Sequence, residues 1–238
     1  LSNAAGWQAD RRTPFYRLAA WGALAVALIG FFLTYTAPMV RSTFNGPRWS
    51  HVHGALLLSW LCQTIVQTHL AAGRLKVHRR LGWFAVVLAP AIAVSTIAIG
   101  VEATRRDLAA GGTAGMAGNV TTPAVFCALV AAAIALRKRP QWHKRLILIA
   151  SVVIIWPAWF RWRHFLPWVP RPDIALGLVA TNLILIGAMV RDQVRFGAMH
   201  PAYLFVGLPV IAWQAFETLV FGSQWWTEIG LWFYRLFA

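Results

Sequence analysis

The chain reads as an all-α polytopic membrane protein: a seven-transmembrane-helix bundle built as one helix plus three hairpins, with an interfacial C-terminal helix. Three observations predict this. Hydrophobic residues make up 59% of the 238 and charged residues only 12%, too little polar surface to coat a soluble domain. Apolar runs recur at about 18–40, 52–72, 81–101, 122–136, 146–160, 174–190 and 201–221, close to the roughly 20 residues that a helix needs to cross a hydrocarbon core of about 30 Å. Finally, Arg74-Leu-Lys-Val-His78-Arg79-Arg80-Leu81 returns as Arg139-Pro-Gln-Trp-His143-Lys144-Arg145-Leu146, and more loosely as Arg195-Phe-Gly-Ala-Met-His200-Pro201. Each hairpin therefore turns at a basic loop bearing a histidine.

Residues 1–17 form an N-terminal segment, 18–221 the transmembrane domain and 222–238 the C-terminal helix. Residues 1–9 carry no argument, because Ser2-Asn3-Ala4 resembles an expression-tag scar. The first apolar run is too long for a signal peptide and lacks a small-residue cleavage site, so it is expected to stay in the membrane. Pro90 and Pro157 fall inside spans and are expected to kink them, whereas Pro123 and Pro201 are expected near helix starts, where the missing donor costs little. The short fourth, fifth and sixth runs are completed by interfacial neighbours such as Trp142, Trp162 and Trp168. Residues 102–121, with Gly111-Gly-Thr-Ala-Gly-Met-Ala-Gly118, read as a long flexible linker. Trp225, Ile229, Trp232 and Leu236 recur at helical spacing, which predicts an amphipathic helix from Gln224 to Phe237 lying along the membrane surface.

The formal net charge of +15 does not imply nucleic acid, because the cations sit between apolar runs and form no basic domain or arm. Anionic lipid headgroups are the expected counter-charge. With the N-terminus cytoplasmic, fourteen of the 22 basic residues fall on the inner side, as the positive-inside rule favours. This predicts a cytoplasmic N-terminus and a C-terminus on the outer side. Cys62 and Cys127 lie within apolar runs and read as small core residues rather than a disulfide.

Candidate chemistry resides in the few polar groups. On the second span His53, Trp60, Gln63 and Gln67 fall within about 80° of one another and form a stripe expected to face the bundle interior. His51 and His69 lie on roughly the opposite side. The glutamines either satisfy backbone and hydroxyl groups or line a ligand site. His78, His143 and His200 open alternate spans on the inner side, where they either meet headgroups or converge on a cofactor. On the outer side stand His51, His53, Glu102, Arg161, His164 and Glu217. Glu217 sits about one turn inside the seventh span, where an ionised carboxylate costs up to roughly 3 kcal/mol unless paired. Its expected partner is Arg161, or a transition metal shared with His51, His53 and His164. A b-type haem needs histidines from facing helices, which His53 with His164 or the inner-side histidines supply. His53 and His69 lie roughly 160° apart, which argues against two stacked haems on one helix.

His51-Val-His53-Gly54, Trp60, Gln67, Arg74, His78-Arg-Arg-Leu-Gly82, His143-Lys-Arg-Leu146 and His200-Pro201 together resemble a family of bacterial seven-helix inner-membrane proteins, over about 20–221. That resemblance implies the fold and brings no assigned activity. The stretch from His143-Lys-Arg-Leu to Arg163-His164 is also similar to the histidine-bearing helix of small membrane proteins linked to terminal-oxidase assembly, although Ile147 departs from that pattern. It implies haem and copper chemistry for one helix.

The leading expectation is a membrane protein holding haem b or a transition metal among its histidines, in electron transfer or respiratory-complex assembly. The alternative is a non-catalytic structural or lipid-binding subunit whose aromatic C-terminal helix docks other subunits. A third is an enzyme acting on a lipid or quinone with Glu217 or a histidine as base. No nucleophile motif supports hydrolysis, and same-direction repeats without paired broken helices argue against a transporter.

Overall fold

The computed structural model describes residues 14–108 and 112–238, so the expectations for residues 1–9 and most of the N-terminal segment lie outside the described residues. Among the described residues eight helices follow in order: α1 (Pro14–Val40), α2 (Ser50–Leu70), α3 (Leu75–Asp107), α4 (Ala114–Ala135), α5 (Pro140–His164), α6 (Asp173–Phe196), α7 (Tyr203–Val220) and α8 (Gln224–Phe237). No strand occurs among the described residues. Six of the helices are long and apolar enough to cross a membrane. The remaining bundle helix, α2, has 21 residues and owes its greater polarity to His51, His53, Ser59, Gln63, Gln67 and His69.

Side-chain burial shows which solvent the bundle is built for. On α1 the buried positions Tyr16, Ala20, Ala23, Val26 and Gly30 step by three and four residues and form one stripe. Leu18, Trp21 and Leu28 on its other side are exposed, as are Val87, Val94, Leu183, Val190, Phe205 and Leu219 on other helices. Apolar groups cover the outside because lipid, not water, faces them. The centre is α5, which packs against α1, α4, α6 and the start of α7 and buries Leu146, Leu148, Ile149, Ala150, Val152, Val153, Ile155 and Ala158. Small residues let backbones approach closely: a Cβ on Gly30 of α1 would lie 2.3 Å from the Ala158 carbonyl oxygen of α5.

Two local expectations are corrected. The 102–121 linker is not present as such, since α3 continues to Asp107 and α4 begins at Ala114. Within the first turn of α4, Met116 and Ala117 are fully buried. Pro123 accordingly lies inside α4 rather than near its start. The C-terminal helix forms over the expected residues but is also docked, through buried Trp226 and Gly230, against the start of α4. Thr113 Oγ1 donates to the Thr227 carbonyl at 2.8 Å. Trp225, Trp232 and Leu236 face outward.

Candidate functional site

The histidine loops gather at one end of the bundle, and there two repeat histidines meet. His78, in the first turns of α3, and His143, in the first turn of α5, have ring centres 6.2 Å apart with planes at 86°. His78 Nδ1 lies 3.2 Å from the Gln67 carbonyl oxygen, and His143 Nδ1 lies 2.8 Å from that of Ala133. A carbonyl only accepts, so each Nδ1 carries the proton and each Nε2 keeps its lone pair. Backbone carbonyls holding one imidazole nitrogen in this way are the usual support for histidines that ligate a metal through the other.

Gln63 and Gln67 border this corner from α2. Gln63 Nε2 donates to the Leu81 carbonyl at 3.4 Å, next to the irregular turn that joins the two parts of α3. The Gln63 Oε1 and both polar side-chain atoms of Gln67 are buried without a hydrogen-bond partner. Gly82 leaves room beside them, a Cβ there lying 3.9 Å from Gln67 Nε2. Buried amides left unbonded mark a place that a polar ligand or water completes. The rest of the α2 stripe does face inward: Trp60 packs on Phe126 with ring centres 4.8 Å apart and donates to Ser151 Oγ at 3.2 Å.

His200 takes a different position. It is buried, packs edge-on against Trp142 at 5.3 Å and accepts from the Ala202 N–H through Nδ1 at 3.1 Å. It thereby caps the start of α7 with its neutral form. Burial, then the nearby Arg145 and Lys144, push its pKa down to about 3. The three histidines therefore do not converge on one point: two pair, and the third locks a helix start.

The outer quartet does not assemble. His51 shares a hydrogen bond of 2.8 Å with the Tyr35 hydroxyl. His53 Nδ1 donates to Ser95 Oγ at 3.0 Å, the serine proton being committed to the Ile92 carbonyl. His164 ends α5 in a single turn of tighter helix. Glu217 pairs with the Thr121 hydroxyl, not with Arg161, which donates to the Pro157 carbonyl and lies over the Phe31 ring at 4.2 Å. Among the described residues no group of three or more His, Cys, Asp or Glu is placed to hold a metal ion.

Sequence reasoning missed a buried ion pair at the histidine end. Arg145 Nε and Nη2 donate to Asp192 Oδ2 at 2.9 and 2.5 Å, with both side chains 0% exposed. Arg145 Nη1 donates to the Gln141 carbonyl and Oε1, and the guanidinium lies 5.5 Å from the Tyr203 ring. The available signal was Asp192 itself, one of only seven acidic residues and set at the end of an apolar run. The pair ties α5 to α6 directly behind His143.

Comparison with known proteins found no matching family model, no matching curated protein and no matching solved structure.

Proposed function

We propose that this chain is a bacterial inner-membrane protein that holds a haem b through His78 and His143 and serves electron transfer or the assembly of a respiratory complex. The observation that carries the reading is the facing histidine pair, each ring held at Nδ1 by a backbone carbonyl. With both Nδ1 atoms committed to carbonyls, the Nε2 atoms of His78 and His143, whose ring centres are 6.2 Å apart, would be the groups that hold the iron. The donor set favours haem over a bare transition metal. Zinc sites take three or four protein ligands, and no such group occurs among the described residues, whereas a porphyrin leaves only two axial positions to fill. Arg74, just before α3, and Arg79 and Arg80 in its first turns would meet the anionic edge of the group, and the unbonded Gln63 Oε1 and Gln67 amide border the site. Such a group supplies one-electron chemistry. The protein's part is to fix both rings, hold their tautomers and shield them with α2 and α4.

The N-terminus is cytoplasmic and the C-terminus periplasmic in this reading, with the basic histidine loops against anionic headgroups. The outward aromatic face of α8 favours a second reading, a structural or lipid-binding subunit of a larger membrane complex.

The test is a visible spectrum with metal analysis of protein purified in detergent from haem-replete cells and then incubated with hemin. A Soret band at one haem per chain, lost in both His78→Ala and His143→Ala but kept in His53→Ala, is expected. Copper or zinc at one per chain without a Soret band would replace haem with a bare ion at this pair. Folded protein that stays colourless and metal-free would leave only the structural reading.

A further inference from the structure

The opposite end of the bundle carries a second polar assembly that the histidine pair does not use. From α7 it draws Trp213, Gln214 and Glu217, from α6 Thr181 and Asn182, and from α4 Thr121. Asn182 Nδ2 donates to Gln214 Oε1 at 2.8 Å and to the Leu178 carbonyl at 2.9 Å. Glu217 lies one helical turn beyond Gln214 on the same side of α7. Asn182 is 2% exposed and Thr181 0%, yet Asn182 Oδ1 and Thr181 Oγ1 have no hydrogen-bond partner. Trp213 Nε1 lies beside the Glu217 carboxyl, one turn before it on α7. Thr181 and Asn182 follow directly on a wide π-helical opening of α6, Asp173–Ala180, a distortion that frequently accompanies functional sites.

The surroundings of Glu217 favour its neutral form. Thr121 Oγ1 lies within hydrogen-bond distance of both the Ala117 carbonyl, at 3.0 Å, and Glu217 Oε1. A hydroxyl has one proton. When that proton goes to Ala117, Glu217 bonds Thr121 with a proton of its own, and an apolar span with no cation beside the carboxyl among the described residues favours that arrangement over an ionised carboxylate. The facing elements bring no charge: α4 presents Thr121, α6 presents Thr181 and Asn182, and Glu228 on α8 is bonded to Gln224 at 3.1 Å. No cation pairs with Glu217 among the described residues.

We propose that Glu217, Thr121, Gln214 and Asn182 form an intramembrane proton-binding site, with the proton carried on the Glu217 carboxyl and bound water bridging the free Asn182 and Thr181 oxygens. The proton enters and leaves as hydronium through the near end of α7, about one turn away. Nothing in this site requires the histidine pair, so the two stand or fall separately.

The experiment treats the full chain in detergent with dicyclohexylcarbodiimide, an apolar reagent that modifies protonated carboxyls, and maps the product by peptide mass. At pH 7 an exposed glutamate of pKa about 4.3 is protonated in roughly 0.2% of molecules, so label at Glu217 is expected at least about tenfold above label at Glu228. Infrared spectra should show a protonated-carboxyl carbonyl band that Glu217→Gln removes. The mapping on the unsubstituted chain is informative even if that variant fails to fold. Glu217 labelled no more than Glu228, together with a carboxylate spectrum at pH 7, would overturn the proposal.

Discussion

Replacing Asp192 with alanine strands a buried guanidinium. In the folded chain Arg145 sends two donors to Asp192 and one nitrogen to Gln141, and none of its side chain reaches solvent. Removing the carboxylate deletes one hydrogen bond from the partly exposed Arg191 and two charge-assisted hydrogen bonds from Arg145, the latter each worth about 1.5–3 kcal/mol. The sum agrees with the roughly 3–5 kcal/mol lost when one partner of a buried ion pair is removed. Deleting the charge as well should reverse most of this. Arg145→Met with Asp192→Leu keeps volume in the space between α5 and α6 and is expected within about 1 kcal/mol of the parent or above it. The assay is equilibrium unfolding in mixed micelles with rising dodecyl sulfate, followed by the fluorescence of the 14 tryptophans. A loss below about 1 kcal/mol in Asp192→Ala would mean that the pair is solvated. A double variant as unstable as the single one would mean that packing, not stranded charge, was lost.

Two further outcomes follow from neighbouring geometry. His200 has its pKa held down to about 3 against about 6.5 in the unfolded chain, so the unfolded state binds the extra proton between these values. Its contribution is intact above pH 6.5 and falls away as pH drops toward 3, with about 2 kcal/mol lost between pH 7 and pH 5. His200→Asn, which keeps an acceptor for the Ala202 N–H, should flatten that part of the stability–pH curve, and an unchanged curve would refute the assignment. At the C-terminus a Cβ on Gly230 would lie 2.0 Å from the Thr113 carbonyl oxygen, so Gly230→Ala should push α8 off α4. Faster proteolysis within 224–237, with the bundle intact, is the expected readout, and an unaltered digestion pattern would show that the two helices do not touch.

The hairpin plan was legible because lipid exposure writes itself as unbroken apolar runs, and because the Arg-x-x-x-His repeat marks each return at one end. The 102–121 segment misled because Gly111 to Gly118 has the composition of a flexible linker in water. In hydrocarbon the backbone must satisfy its own hydrogen bonds, so residues 114–121 are helical, and α4 packs Met116 and Ala117 where it meets α3 and α8. His78 and His143 were visible as repeat members, yet their pairing depends on the starts of α3 and α5 coming together in the fold, which spacing within one helix does not encode. The partner of Glu217 was misjudged for a related reason: Arg161 seemed the nearest cation by depth, while the fold turned Thr121 toward the carboxyl. Arg145 and its counterpart Arg80 occupy equivalent places in the two repeats, but only Arg145 is enclosed.

The polarity of α2 bears on how the chain is assembled during synthesis. His53 reaches its partner on α3 and Trp60 reaches its partner on α5, and both are translated after α2. A nascent chain that has threaded only α1 and α2 thus holds a second span with its imidazole and indole unanswered, in hydrocarbon that offers no substitute. Those groups cost free energy until their partners arrive, which favours release of α2 together with its successors over entry helix by helix.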